Sequence, residues 1–404
     1  MKVVYDVSIL GAYSSPDAPR AGIARVAESV MQGLLQQQDC DMSLSALFNG
    51  PETHAYLKAS GLAAKLLDPD LRPGVSGAAH GRLRRVAEEL RRRYQQRRFA
   101  LRIAGWADVF HSSHFPLPPF SRRARTARFI TLYDMIPALT PEVCTPRTQW
   151  QFRQRMRSIT RDTWVLAISE NTKRDFCERQ MFDPARVFVT PIAAARDLFR
   201  PVVDMDVRSA VRRKYGIPNE PYALSLCTLE PRKNLPFVME CFARLVETEG
   251  LADLNLVLAG SSGWHTSDLA GAFFAKHPNL RKRVIVTGRV ADEDLSALYS
   301  AAEMFVYMSL YEGFGLPPLE AMQCGTPVIV SNTSSLPEVV GEAGVLLDPR
   351  DADGLCQAIL HMHRDAALRG ALAAKAVTRA ATFSWERCMA ETMRAYGVAV
   401  GVGR

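Results

Sequence analysis

The 404-residue sequence predicts an α/β protein made of two doubly wound, mostly parallel sheets. Three observations carry that expectation. Short apolar runs alternate with amphipathic stretches of helical length along most of the chain, the pattern of a parallel sheet with helices on both faces. The length suits two domains of roughly 200 residues each. A polar stretch at Arg196–Pro218, interrupted by Pro201 and Gly216, reads as the linker between them. The expected division is 1–200, 201–382 and a last helical segment at 383–404.

In the first half, Val3–Leu10 reads as a strand, Gly22–Gln38 as a helix and Ser43–Phe48 as a strand. Asp108–His111, Arg128–Tyr133 and Trp164–Ser169 end further short strands, each followed by loop residues. The second half repeats the scheme with strands at Tyr222–Thr228, Leu254–Gly260, Arg283–Gly288, Met304–Ser309 and Pro327–Ser331. Helices at Asn234–Val246 and Asp292–Ala301 lie between them. The last segment, Phe383–Tyr396, has an N-cap candidate in Ser384, with Trp385 and Met389 spaced to share a helix face. A stripe that apolar must pack on something.

Composition narrows the class. An apolar content of 48% with 23% charged residues is that of a globular protein. No run approaches the roughly 18 apolar residues of a membrane span. The opening MKVVYDVSIL meets Asp6 too early for a signal peptide and reads as a first strand. Eight scattered Cys without a C-x-x-C pair fit thiols in a reducing cytosol. The net charge of +8 is uneven: residues 1–200 hold 30 Lys+Arg against 19 Asp+Glu, and the rest 20 against 23. Much of the excess sits in Gly81–Gly105, a helical stretch with nine Arg against Glu88 and Glu89. Leu83, Val86, Ala87, Leu90 and Tyr94 fall at helical spacing there. Such a helix either lies on an anionic membrane surface or is a surface helix burying its stripe. The aromatics form no stacking platform, so nucleic acid is not the expected partner.

Two loops carry the chemistry. Phe305–Val330 reads as strand, glycine loop (Glu312, Gly313, Phe314, Gly315, Leu316), a helix opening at Pro317, and a second strand. Free backbone N–H groups and the helix dipole favour an anion at such a helix N-terminus. Glu312 and Glu320 bracket the site and, being repelled by phosphate, suit the hydroxyls of neighbouring sugars. A nucleoside-diphosphate sugar has that chemistry. Arg232 and Lys233, in the loop after Tyr222–Thr228, would open on the same sheet edge, with Arg chelating phosphate oxygens and Lys adding a point charge. The plain alternative is that the two acids are surface residues and the glycines merely serve the turn.

Several stretches together resemble a retaining glycosyltransferase of family GT4, with the GT-B fold: LEPRKN (229–234), LVLAGSSGW (256–264), the run 284–349 from VIVTGRV to GVLLDP, and FSW (383–385). The first half resembles the family more loosely, through GIARVAE (22–28), DVFHSSHFPLP (108–118), TLYDMIP (131–137) and AISENTKRDF (167–176). The resemblance implies two Rossmann-like domains facing across a cleft, the second holding the donor, with the helix around Trp385 crossing back onto the first. It implies that Arg232 and Lys233 bind the donor diphosphate and that Glu320 takes the ribose hydroxyls. Glu312 and the backbone at Gly313, Phe314, Gly315 and Leu316 would hold the transferred sugar. His111 and Asp134, at strand ends of the first half, are the candidates near the reacting sugar and acceptor, with His114 competing with His111. Tyr133 stands where many relatives have His, and Cys227 and Ala193 where Gly is common.

The expected reaction moves a hexose, mannose from GDP-mannose by overall similarity or a sugar from a UDP donor, to a glycan or lipid-linked acceptor in surface polysaccharide assembly. Retention of configuration follows from the resemblance. No cofactor and no metal is expected, because the cation pair and helix N-terminus supply the charge, and no Asp-x-Asp directly follows a long apolar strand. The enzyme would be cytoplasmic, peripheral at the inner membrane face if 81–105 binds lipid. A dehydrogenase is not expected, since only Gly11 and Gly22 lie near the first strand's end and form no G-x-G-x-x-G. A phosphorylase or epimerase of the same fold, or a non-catalytic sugar-nucleotide-binding subunit, stays open.

Overall fold

A computed structural model describes residues 1–12, 22–67, 82–121, 124–226, 228, 230–260 and 269–402, with the side chains of 82–89, 269 and 402 outside the description. Cys227, Leu229 and Ser261–Trp264 of the motifs above lie outside it, as does Gly81. The chain folds as two units: Met1–Ile192 together with Trp385–Arg404, and Ala193–Ser384.

The first unit contains a six-stranded parallel sheet: β1 (Lys2–Asp6), β2 (Asp41–Ser45), β3 (Val109–Ser112), β4 (Ala127–Leu132), β5 (Thr163–Ala167) and β6 (Val187–Val189), in the order β2-β1-β3-β4-β5-β6. β3 and β5 are buried along their whole length, as a sheet covered on both faces requires. Val4, Phe110, Ile130 and Val165 form the core with Phe99 and Ile103 of the helix Arg82–Ile103. The first strand is shorter than its apolar run suggests. It ends at Asp6, and Ser8–Gly11 turns into a short helix. Asp6 causes the break: its carboxylate accepts the Ser8 N–H, the Ser8 and Ser45 hydroxyls and the Leu47 N–H, which ties β1 to the segment after β2.

The last helix, Trp385–Val402, belongs to this unit. Cys388, Met389, Thr392, Tyr396 and Ala399 are buried at helical spacing, against the helix Gly22–Leu35 and strands β4 and β6. Gly33 is needed for the approach, because a Cβ there would sit 2.5 Å from Met389 Cγ.

The second unit holds a separate parallel sheet: β7 (Tyr222–Leu226), β8 (Asn255–Ala259), β9 (Val284–Gly288), β10 (Met304–Tyr307), β11 (Val328–Ser331) and β12 (Val345–Leu347), ordered β12-β11-β10-β7-β8-β9. Strand order reverses between β7 and β10, and ligands of such sheets bind beyond the strand carboxyl ends at that switch point. The presumed linker Arg196–Pro218 is not a bare connection. It contains the helix Met205–Lys214, capped by Asp204, with Val211 buried. Tyr215 and Lys214 both bind Asp294, while Phe199 packs edge-on to Tyr299. The charges that look like linker chemistry serve a cap and a surface helix instead. Among the described residues no helix is long and apolar enough to cross a membrane.

Candidate active site

The loops after β7 and β10 meet at the switch point. After β7, Pro231–Lys233 forms one 3-10 turn, and Asn234 takes the left-handed conformation (φ 58°) before the helix Leu235–Glu249. Asn tolerates that conformation better than most residues. Its Nδ2 donates to the Pro349 carbonyl at 2.8 Å, which anchors the turn. The Leu310 N–H donates to the Arg232 carbonyl at 2.9 Å, and Arg232 Nη1 donates to the Tyr311 carbonyl at 2.6 Å. The two loops are stitched into one object.

Glu312 is its centre. Oε1 lies 2.7 Å from both Arg232 Nη1 and Lys233 Nζ, and accepts from Tyr307 Oη at 2.9 Å and Ser309 Oγ at 2.6 Å. Oε2 has no partner among the described residues. Burial works against an ionised Glu312, but Arg232 and then Lys233 more than offset it and hold the carboxyl at about 2. Burial likewise opposes the charge on Arg232, and Glu312 overcomes it, so the guanidinium is held above its ordinary range. Glu230 adds a weaker contact to Arg232 Nη2 at 3.3 Å. With Glu230 counted the four side chains sum to zero. Glu230 is the more exposed acid, however, and the buried trio of Arg232, Lys233 and Glu312 keeps one net positive charge.

The backbone expected to meet an anion follows directly. The helix Leu316–Gln323 starts after Gly315, whose φ of 117° excludes a side chain, and a Cβ there would also sit 2.7 Å from Leu336 Cδ2. The N-cap residue is Gly315 itself, which has no side chain to cap the helix. Ser335 Oγ donates to the carbonyls of Glu312 and Phe314, and the Glu312 N–H donates to Ser334 Oγ, so Glu312, Gly313, Phe314, Gly315 and Leu316 form a fixed turn. Glu320 lies on the second turn of the helix, buried, with Oε2 accepting from the wholly buried Tyr299 hydroxyl at 3.0 Å.

In the first unit the expected pair separates. Asp134 follows β4 in a half-buried position, its Oδ1 accepting the Ile136 N–H at 3.0 Å. His111 is fully buried, and both ring nitrogens are engaged: Nδ1 with the Tyr396 hydroxyl at 2.6 Å and Nε2 with Thr131 Oγ1 at 2.7 Å. For the expected contact with sugar or acceptor, His111 has neither ring nitrogen free here. It is a post binding β3 and β4 to the last helix, and burial lowers its pKa to about 3. His114 is the half-buried competitor, bonded through Nδ1 to Arg155 at 3.2 Å.

Tyr307 and Ser309 escape sequence reasoning. They sit at the end of an apolar run, and the signal was the polar tip of a buried tyrosine, which has to find a partner. Arg155 and Ser113 carried no signal.

Two doubly wound sheets and an anion-ready switch point define the GT-B class of glycosyltransferase. Over the whole chain the fold matches Anabaena HepE in complex with UDP and glucose (TM-score 0.69, 16% identity, 98% of each chain covered) and sucrose-phosphate synthase from Thermosynechococcus elongatus (TM-score 0.68, 19% identity, 98% of each). The family model "Glycosyl transferases group 1" matches residues 207–379. The O-antigen chain mannosyltransferase B of Escherichia coli is 34% identical over 302 residues, covering 74% of this chain and 77% of that protein. The chain belongs to the group 1 glycosyltransferases. A longer Escherichia coli protein, serotype-specific mannosyltransferase WbdA, is 31% identical over 257 residues, or 63% of this chain and 31% of WbdA.

Proposed function

We propose that this glycosyltransferase is a retaining, metal-independent hexosyltransferase of the GT4 type that moves mannose from GDP-mannose to a glycan or lipid-linked acceptor of a surface polysaccharide. The observation that carries the reading is the buried Arg232–Lys233–Glu312 cluster beside an uncapped helix N-terminus at the β7/β10 switch point. Similarity to O-antigen mannosyltransferase B favours mannose over the sugars of UDP donors.

In this reading the diphosphate sits between Arg232, Lys233 and the N–H groups of Gly313–Leu316. As the glycosidic bond breaks, charge grows on the leaving nucleoside diphosphate, and these groups meet it already in position. Glu312 is not a proton carrier, because its two cations keep it ionised. Its unpartnered Oε2 takes a hydroxyl of the transferred sugar, and Glu320 takes the ribose. The acceptor binds on the first unit near Asp134. Transfer of [14C]mannose from GDP-mannose to glycolipid extracts, with and without excess EDTA, tests the proposal. Equal rates are expected. Activity that vanishes with EDTA and returns with magnesium or manganese overturns the metal-free account.

Peripheral membrane attachment at the inner membrane face belongs to the same proposal. Within the helix Arg82–Ile103, Phe99, Ala100 and Ile103 are buried, whereas Leu90, Tyr94 and Leu101 are 61%, 62% and 62% exposed. These three fall at i, i+4 and i+11, one outward stripe, flanked by exposed Arg91, Arg93, Arg97, Arg98 and Arg102. A surface helix that buried its stripe would not leave Leu90 and Tyr94 in solvent, and a lipid surface suits that face.

A further inference from the structure

Arg155 is a buried cation without an anion. It lies on the helix Pro146–Ser158, which follows β4 in the first unit, and only 8% of its surface is exposed. Its single side-chain hydrogen bond goes from Nη1 to His114 Nδ1 at 3.2 Å, and its guanidinium carbon lies 5.5 Å from the Phe152 ring. Among the described residues no carboxylate lies within ion-pair distance. Nε is buried with no partner, and so is the hydroxyl of Ser113, the residue before His114. Asp134 influences Arg155 only through space, and burial lowers the Arg155 pKa.

This arrangement has a definite hydrogen-bond polarity. An arginine only donates, so Nδ1 of His114 must accept, and burial holds that imidazole neutral. The ring proton then sits on Nε2, which has no partner among the described residues. Arg155 Nε and Nη2, His114 Nε2 and the Ser113 hydroxyl are donors without acceptors among the described residues. A buried charge in that condition costs several kcal/mol unless something pairs with it. All of these side chains come from the segments after β3 and β4, where a doubly wound sheet presents ligands.

The geometry points to an oxyanion site on the first unit, in which Arg155, oriented by His114, binds a phosphate or carboxylate of the acceptor. This rests on the reading of the first unit as the acceptor side, and it makes the acceptor anionic. A planar guanidinium chelates either group through paired N–H donors. A phosphate on a lipid carrier and a carboxylate on an acidic sugar share that chemistry.

Peptide-resolved hydrogen exchange on the full chain separates the sources. Inorganic phosphate and glucuronate are added in separate arms. Protection of residues 113–117 and 146–158 by phosphate alone points to a phosphorylated carrier, by glucuronate alone to an acidic sugar, and protection in both arms to an undiscriminating oxyanion site. Each supports the proposal. Protection in neither arm overturns it, as does protection that survives in Arg155→Met. The apolar variant is expected to bind at least about 10-fold more weakly, the loss typical of a charged hydrogen bond, and to melt no lower than the parent, since it removes an unpaired buried charge. Arg155→Lys keeps the charge but not the fork, and should show intermediate protection. Should Arg155→Met not fold, protection in Arg155→Lys equal to the parent's overturns the proposal. Exchange at 230–234 and 312–316 with GDP-mannose reads the second unit, so absence of protection there counts against the proposed function and not against this site.

Discussion

The carboxyl ends of the two sheets solve the same problem differently. In the second unit the loops after β7 and β10 bury three charges together, and each is paired: Glu312 with Arg232 and Lys233. In the first unit the ends of β3 and β4 bury a neutral histidine, His111, between hydroxyls and, bonded to a second histidine, His114, an arginine with no counter-ion among the described residues. A paired cluster keeps its geometry whether or not ligand is present, which suits stabilising charge that appears only during reaction. An unpaired donor set is completed by its ligand and therefore selects for it. In the proposed reading one edge is arranged for rate, the other for recognition.

The largest effect that would break this comparison is on rate. Lys233→Ala should lower transfer about 10²–10³-fold, the usual consequence of removing a donor aimed at developing charge. It should still fold, because Arg232 continues to pair with Glu312. Steady-state assays within a factor of about three of the parent would take Lys233 out of the mechanism. In contrast, His111→Ala should leave GDP-mannose turnover per folded molecule unchanged. It strands the Tyr396 and Thr131 hydroxyls and opens a cavity, a loss of about 3 kcal/mol or more. Faster exchange in β3, β4 and 385–402 with unaltered exchange in 222–347 is the expected pattern, and a loss of turnover would return His111 to the chemistry.

Acid sharpens the contrast. Glu312 has its pKa depressed from 4.5 to about 2, so the stability it contributes is complete above about pH 4.5 and is lost as pH falls through about 2. Exchange in the second unit should accelerate over that window, and Glu312→Gln should flatten the profile there while leaving the first unit's profile as it was. A profile that Glu312→Gln does not alter would mean that the cluster is not ionised as described.

The smallest effect concerns the outward stripe. Each basic residue near an anionic surface contributes about 1 kcal/mol, decaying over a Debye length. Cosedimentation with phosphatidylserine vesicles should be strong at low salt and weaken as salt rises. Replacing Arg91, Arg97 and Arg98 by Ser should weaken it further without changing turnover of a soluble acceptor mimic. Parent protein left in the supernatant at low salt would make 82–103 an ordinary surface helix.

The sequence by itself determined the two parallel sheets and the anion edge of the second. Strands buried on both faces need unbroken apolar runs, and a loop directly after such a strand opens at the sheet's carboxyl edge, so Arg232, Lys233 and Glu312 were legible from local pattern. Only the tertiary structure decided the rest, because burial depends on what arrives from elsewhere in the chain. His111 looks substrate-facing until Tyr396, 285 residues away in sequence, takes its Nδ1. Arg196–Pro218 looks like a linker until Asp294 binds Lys214 and Tyr215. Leu90 and Tyr94 fit a buried stripe by spacing, yet the helix turns Phe99 and Ile103 inward and leaves them out. Arg155 is one arginine among many in the sequence, and only packing shows that nothing neutralises it. Periodicity names the face of an element; it does not name the neighbour that covers it.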